Sequence, residues 1–219
     1  MRCRGMQGIA SSLYSLALVP YVQGDSEKAT ELLEESMDLS RELGDKYLLA
    51  DCLMTLGLVA HSQSDLVRAA KLAEESVALK RELGARGDVA SGLGNLGWIA
   101  LLQNDLDRAA DLFEESLSLA WETGMNRVIQ SDLEGKACLT GAQGEAERAS
   151  RLWGAAQALH ELRDIPRDDV FLAEADARIA ALRSDMGEEA WEEGWRKGRA
   201  MTLDEAVSFA LAGEEEASG

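Results

Sequence analysis

Gly92, Gly94 and Gly97 spell G-x-G-x-x-G, a spacing that can turn backbone amides toward a dinucleotide pyrophosphate. That chemistry needs a strand before the first glycine and a helix opening upon it. No strand pattern precedes Gly92, so no cofactor is expected. Gly97 reads as a site of close helix packing, and Gly92 and Gly94 as places that widen a groove or let it flex. Arg86-Gly87-Asp88 spells an adhesion tripeptide, but it falls where a C-cap loop meets the next helix. His61 and His160 are the only histidines, and neither has a carboxylate or cysteine at ligand spacing. Both read as surface or groove lining, with no metal expected. Cys3, Cys52 and Cys138 are an odd number at unrelated spacings. They predict neither a disulfide framework nor a zinc site, and suit free thiols in a reducing cytosol. No Ser, Thr or Cys stands in a recognisable nucleophile setting. The chain is therefore read as non-catalytic; the enzyme alternative is an unrecognised site near His61 and Asp51.

Glu34–Glu35, Glu74–Glu75 and Glu114–Glu115 are paired carboxylates of the kind acid–base catalysis uses. Three copies along one chain argue instead for a solvated face. The copying has a cause: GDSEKATELLEESMDLSRELGD (24–45), SDLVRAAKLAEESVALKRELGA (64–85) and NDLDRAADLFEESLSLAWETGM (104–125) share one frame at an offset of 40 residues. A worn fourth copy runs over 144–165. A repeat of this period signals a solenoid of stacked supersecondary units.

Each unit reads as two helices. The first helices are expected near 8–22, 47–62, 87–103 and 127–142, and the second near 25–43, 65–83, 105–123 and 145–163. Ala69, Leu72, Ser76 and Leu79 step by helical spacing and predict a buried stripe, repeated at Ala29, Leu32, Ser36, Leu39 and at Ala109, Leu112, Ser116, Leu119. Asp25, Asp65 and Asp105 stand where N-caps are wanted, and Gly44, Gly84 and Gly124 where left-handed C-caps are wanted. Pro166 breaks the pattern, and Asp168 or Asp169 is expected to open a further helix reaching about Asp185. Trp191 and Trp195 share a helix face that needs apolar cover, and Thr202 with Glu205 predicts a capping box. The organisation expected is repeats over 1–165, capping helices over 166–212 and a disordered tail over 213–219.

Helical hairpins with Leu56-Gly57 and Leu96-Gly97, then Ala69 and Ala109, Ala73 and Phe113, and Ser76 and Ser116, resemble tetratricopeptide repeats. The resemblance implies an all-α, right-handed superhelical solenoid. The long period, with endings such as Arg81-Glu82-Leu83-Gly84, and the Gly-Glu-Glu, two-aromatic and Thr-Leu-x-Glu-Ala order of the tail are similar to bacterial LuxR/MalT-like regulators of the STAND-type ATPase class. The family's concave face falls here on Tyr14, Leu18 and Tyr21; Asp51, Met54, Leu58 and His61; Ser91, Trp98 and Leu101; and Ser131, Glu134 and Cys138. Two occupants of that face stay open: an external ligand, or this chain's own C-terminal helices or a second subunit.

The net charge of −18, from 40 acidic and 22 basic residues, argues against direct contact with nucleic acid or an anionic membrane. The apolar run from Ile9 to Val19 is too short for a membrane span and is interrupted by Pro20. The function expected is a cytoplasmic protein–protein interaction or ligand-sensing module. It would be the sensor arm of a larger bacterial signalling or transcription regulator, taking a protein, a peptide or a small-molecule effector. The alternative is a free-standing scaffold or adaptor that binds a peptide or homodimerises.

Overall fold

The computed structural model describes residues 2–163 and 170–212, with the backbone alone for 2–4 and 163. Pro166, Asp168, Asp169, the tail 213–219 and the Cys3 side chain lie outside the described residues. Eleven helices are described: α1 (Arg2–Val22), α2 (Ser26–Leu43), α3 (Lys46–Ser62), α4 (Leu66–Glu82), α5 (Arg86–Leu102), α6 (Leu106–Thr123), α7 (Asn126–Ala142), α8 (Ala146–Arg163), α9 (Leu172–Met186), α10 (Glu188–Arg199) and α11 (Leu203–Leu211).

The helix ends are set by local chemistry. Asp25, Asp65 and Asp105 accept the backbone N–H groups of Lys28, Arg68 and Arg108, satisfying donors that the first turn leaves orphaned. Gly44 and Gly124 close α2 and α6 at φ of 67° and 70°, where a side chain would be strained. Two boundaries differ from expectation. α1 starts at Arg2 rather than near residue 8, because no proline or cap residue stands in 2–7 to stop it. Within its expected span it contains Pro20, which sits in the last turn and whose carbonyl accepts the Asp25 N–H at 2.9 Å. The second difference concerns α9: its N-cap is Phe171, not Asp168 or Asp169, and no side chain caps it.

The chain divides into two compact units, Met1–Gly92 and Leu93–Gly219. In the first, Ala17 and Ala29 allow close approach of α1 and α2, and Leu32, Leu33, Leu56 and Val59 fill the core beside them. Ser36 donates to the Ala10 carbonyl at 2.8 Å, and one repeat later Ser76 donates to the Ala50 carbonyl at 2.7 Å. The repeated serine thus ties a second helix to its own first helix. Of the expected stripe, Ala29, Leu32, Ser36, Ala69, Ser76, Ala109 and Ser116 are buried, and the buried face extends past it to one side. Leu33, Ala73, Val77, Phe113 and Leu117 are buried, whereas Leu39, Leu72, Leu79, Leu112 and Leu119 are only half-buried. Helices pack with both neighbours, so the seam lies between the two flanks instead of on either.

Gly92 and Gly94 are not points of slack. A Cβ on Gly92 would stand 2.6 Å from Val77, and one on Gly94 would stand 2.6 Å from Asp132 Oδ1 and 3.2 Å from Ser116 Oγ. Both are helical positions where another side chain already fills the space, so the dinucleotide reading has no local geometry to support it.

In the second unit the large buried side chains include Trp98, Phe113, Leu117, Ile129, Leu133, Phe171 and Trp191. α10 lies against α8 so closely that a Cβ on Gly154 would fall on the Trp195 carbonyl, and one on Gly198 on the Arg151 carbonyl. Trp191 is buried, and the half-buried Trp195 donates its indole N–H to Gln157 at 2.6 Å. Arg199 forks onto the Glu161 carboxylate at 2.9 and 2.6 Å. α11 opens with the expected capping box between Thr202 and Glu205 and buries Ala206, Val207 and Ala210. Among the described residues no helix is long and apolar enough to cross a membrane.

Candidate functional site

The first-helix positions are treated unit by unit. In the first unit, α1 presents Tyr14 and Tyr21 half-buried and Leu18 exposed, and α3 presents Asp51, Met54 and Leu58 half-buried. Ser91 on α5 is exposed, and His61 is buried. Tyr14 is held by the Thr55 hydroxyl, which donates to its oxygen at 3.5 Å, and burial raises the phenol's pKa. The face is aromatic and apolar with one charged end.

That end was not legible as a cluster in the sequence. Lys80 of α4 is 4% exposed, and its ammonium donates to Asp51 at 2.6 Å. It also lies 3.7 Å from Asp88 and 3.1 Å over the ring of Tyr47, whose hydroxyl donates to Asp88 at 2.8 Å. Burial alone would pull the Lys80 pKa down, but the Asp51 hydrogen bond and the two carboxylates outweigh it and hold the ammonium protonated. Burial pushes the Asp51 carboxyl up, and Lys80 pulls it back. The Tyr47 proton is held by its bond to Asp88. The signal in the sequence was Lys80 itself, standing where the other repeats carry Ser40, Ala120 and His160. The cluster is an ion-pair network with its hydrogen bonds made, and offers no poised acid or base.

In the second unit the corresponding residues are withdrawn from solvent. Trp98 is 1% exposed, Leu101 0%, Glu134 2% and Cys138 3%. Phe171 stacks on Trp98 with ring centroids 5.5 Å apart and planes 7° apart, while Trp98 meets Phe113 edge-on at 5.9 Å. The Cys138 thiol points to the Ala175 carbonyl at 3.9 Å, and Arg178 donates to the Leu101 carbonyl at 3.3 Å. α9 and the residue before it therefore cover the first-helix face of this unit. Of the two occupants left open for this face, the chain's own C-terminal residues cover Trp98, Leu101 and Cys138 here, and Glu134 is also buried. Phe171 was missed by reasoning from the repeats, since it lies beyond their last copy.

Among the cavities of this unit, two border α7 or α8 and the covering helices. One of about 230 Å³ lies between α7 and α9, lined by Cys138, Gly141, Arg178, Ile179 and Leu182. The other, of about 160 Å³, is lined by Leu133, Ala155, Leu159, Met201, Leu203 and Ala206. Neither gathers the convergent polar groups that substrate recognition requires. Among the described residues no three His, Cys, Asp or Glu side chains are placed to hold a metal ion. Burial raises the Cys52 thiol pKa, which makes it a poor nucleophile.

Comparisons with known proteins agree with this geometry. Models of the tetratricopeptide repeat match residues 8–82 and 89–122. The fold is similar to crystallised kinesin light chain TPR-like repeats from Podosopora anserina, with a TM-score of 0.61 and 16% identity, covering 87% of this chain and 94% of that one. It is also similar to BtubC (BKLC) from P. vanneervenii, with a TM-score of 0.65 and 19% identity, covering 93% and 80%. Over 66 residues, 30% of this chain, it is 38% identical to proteins described as HTH-type transcriptional regulators in Mycobacterium tuberculosis and Mycobacterium bovis. The match spans 8% of the length of those relatives.

Proposed function

We propose that this chain, which belongs to the tetratricopeptide-repeat family, is the sensor arm of a larger bacterial transcription regulator in the cytoplasm. The repeats make it a protein-interaction scaffold. The regulator context draws its support from the 66-residue match to HTH-type regulators. The observation that carries the reading is the contrast between the two first-helix faces. In the first unit Leu18 is exposed and Tyr14, Tyr21, Met54 and Leu58 are half-buried, with the Asp51–Lys80–Asp88 cluster beside them. In the second unit Phe171 and α9 occupy the face. An aromatic and apolar strip with one charged end suits a peptide or helix that buries apolar anchors.

Peptide display against the full chain tests this. Selected peptides should bind saturably and lose at least tenfold in affinity with Leu18→Asp or Tyr21→Ala, at unchanged helicity. Selected peptides that bind these variants as they bind the parent would end the reading of this face. The regulator context is tested separately, by immunoblot of the source cells. A band far larger than 219 residues is expected; a band of that size would favour a free-standing adaptor or homodimer. A metabolite that raises the melting temperature without any peptide binding would move the reading to a small-molecule effector.

A further inference from the structure

The second helices change character at α8. Glu35, Glu75 and Glu115 are exposed on the first three, and the buried Ala155 stands in their place on α8. Glu42, Glu82 and Glu122 are exposed likewise, and Leu162 replaces them. Ala155, Ala158 and Leu162 of α8, with Met201, Leu203 and Ala206 around the start of α11, line the cavity of about 160 Å³. Leu162, 82% exposed, stands at its mouth. Thr202 is the one polar residue of the lining, and the capping box takes up its polar groups. Its hydroxyl donates to the Glu205 carboxylate at 2.9 Å and accepts the Glu205 N–H at 3.3 Å. Its own N–H donates to that carboxylate at 2.7 Å, and its carbonyl accepts the Ala206 N–H at 2.9 Å. The wall therefore presents aliphatic surface without a charge. Packed interiors rarely leave voids larger than a water molecule, and three alanines keep this one open where longer side chains would fill it.

We infer that the cavity between α8 and α11 is a binding site for a small uncharged apolar molecule of the size of one aromatic ring, entering past Leu162. Size and lining select that class. Apolar cavities of about 150 Å³ stay dry and take up molecules such as benzene. Such a ligand needs none of the convergent polar groups that a substrate needs, because burial of its own apolar area supplies the affinity. The net charge of −18 neither attracts nor repels it. A bound ring touches both α8 and the start of α11, so occupancy ties the last helix down. No residue of the proposed peptide face takes part, and the two readings fail separately.

The test titrates the full chain with benzene and follows the methionine methyl resonances, with Met201 assigned through Met201→Leu. Saturable shifts are expected at Met201, which lines the cavity, and none at Met54 of the first unit. Amide exchange in α11 should slow as benzene binds, because the ligand favours the closed form. Pyridine has the same size but a ring nitrogen that the wall cannot pair, and should bind at least tenfold more weakly. Ala158→Leu fills the space and should abolish binding at unchanged circular dichroism. Ala155→Leu closes it from the neighbouring turn and serves should Ala158→Leu lose helix. Shifts that never saturate, or equal shifts at Met54, would mean unspecific partition and overturn the proposal. Pyridine binding as tightly as benzene, or undiminished binding by the filled variants, would overturn it as well. Exchange in α11 untouched by bound benzene would overturn the link to the last helix.

Discussion

Phe171→Ala should open the covered face of the second unit without unfolding the chain. Phe171 is 1% exposed and contributes the ring that stacks on Trp98, while the rest of α9 brings only Ala175 and Ile179 into the core. Truncating a buried phenylalanine removes about 3–5 kcal/mol. With so few other anchors, that loss falls largely on the docking of α9. At about 1.4 kcal/mol per factor of ten, the open population rises by roughly two to four powers of ten. Cys138 reports it, because its thiol is 3% exposed under the Ala175 carbonyl. In a Cys3→Ser background, labelling of Cys138 by an aromatic disulfide should accelerate by a comparable factor, as expected when the reactive form is a minor local opening. Cys52, buried in the first unit, should keep its rate. The helical signal should fall by no more than the fifteen residues of α9. An unchanged Cys138 rate would refute the account of α9 as a cover held by one aromatic. A parallel rise at Cys52 would show global destabilisation instead.

Three other substitutions test the packing. Gly198→Ala places a methyl on the Arg151 carbonyl and should cost about 1–3 kcal/mol in urea unfolding of the second unit, by separating α10 from α8. Lys136 stands where other first helices carry Leu16, Leu56 and Leu96, and burial lowers its pKa. A lysine whose folded pKa lies below its unfolded value binds fewer protons when folded, so stability rises with pH through the window below 10.5. Lys136→Leu should therefore stabilise by on the order of 1 kcal/mol at neutral pH and remove that rise, as thermal melts at pH 7 and pH 10 would show. Thr202→Ala removes half of the capping box and should cost about 1 kcal/mol, read as faster amide exchange confined to α11.

Much of the architecture is local chemistry. Asp25, Asp65 and Asp105 cap helices through their own side chains, and Gly44 and Gly124 end them through backbone conformations that glycine alone adopts easily. Both are decided within four residues, so pattern and spacing reveal them. The Thr202–Glu205 box is legible for the same reason. The candidate face is legible only in part. Tyr14, Leu18 and Tyr21 could be assigned from the repeat frame because the frame repeats. Whether such a residue meets solvent is not a property of the repeat. Trp98 occupies an ordinary first-helix position, and Phe171, 73 residues later, stacks on its ring and helps to bury it.

The sequence by itself determined the eight repeat helices and the aspartate and glycine caps that bound them. These follow from contacts a few residues apart or from a period of 40 residues, and both are written along the chain. Only the tertiary structure decided which apolar faces are closed. It put Lys80 between Asp51 and Asp88, set α10 against α8 through Gly154, Gly194 and Gly198, laid Phe171 over Trp98 and left Ile9, Leu16 and Val19 bare. The physical reason is that burial is a pairwise fact. An apolar residue announces that it wants cover, but which distant segment supplies it depends on where the whole chain has gone.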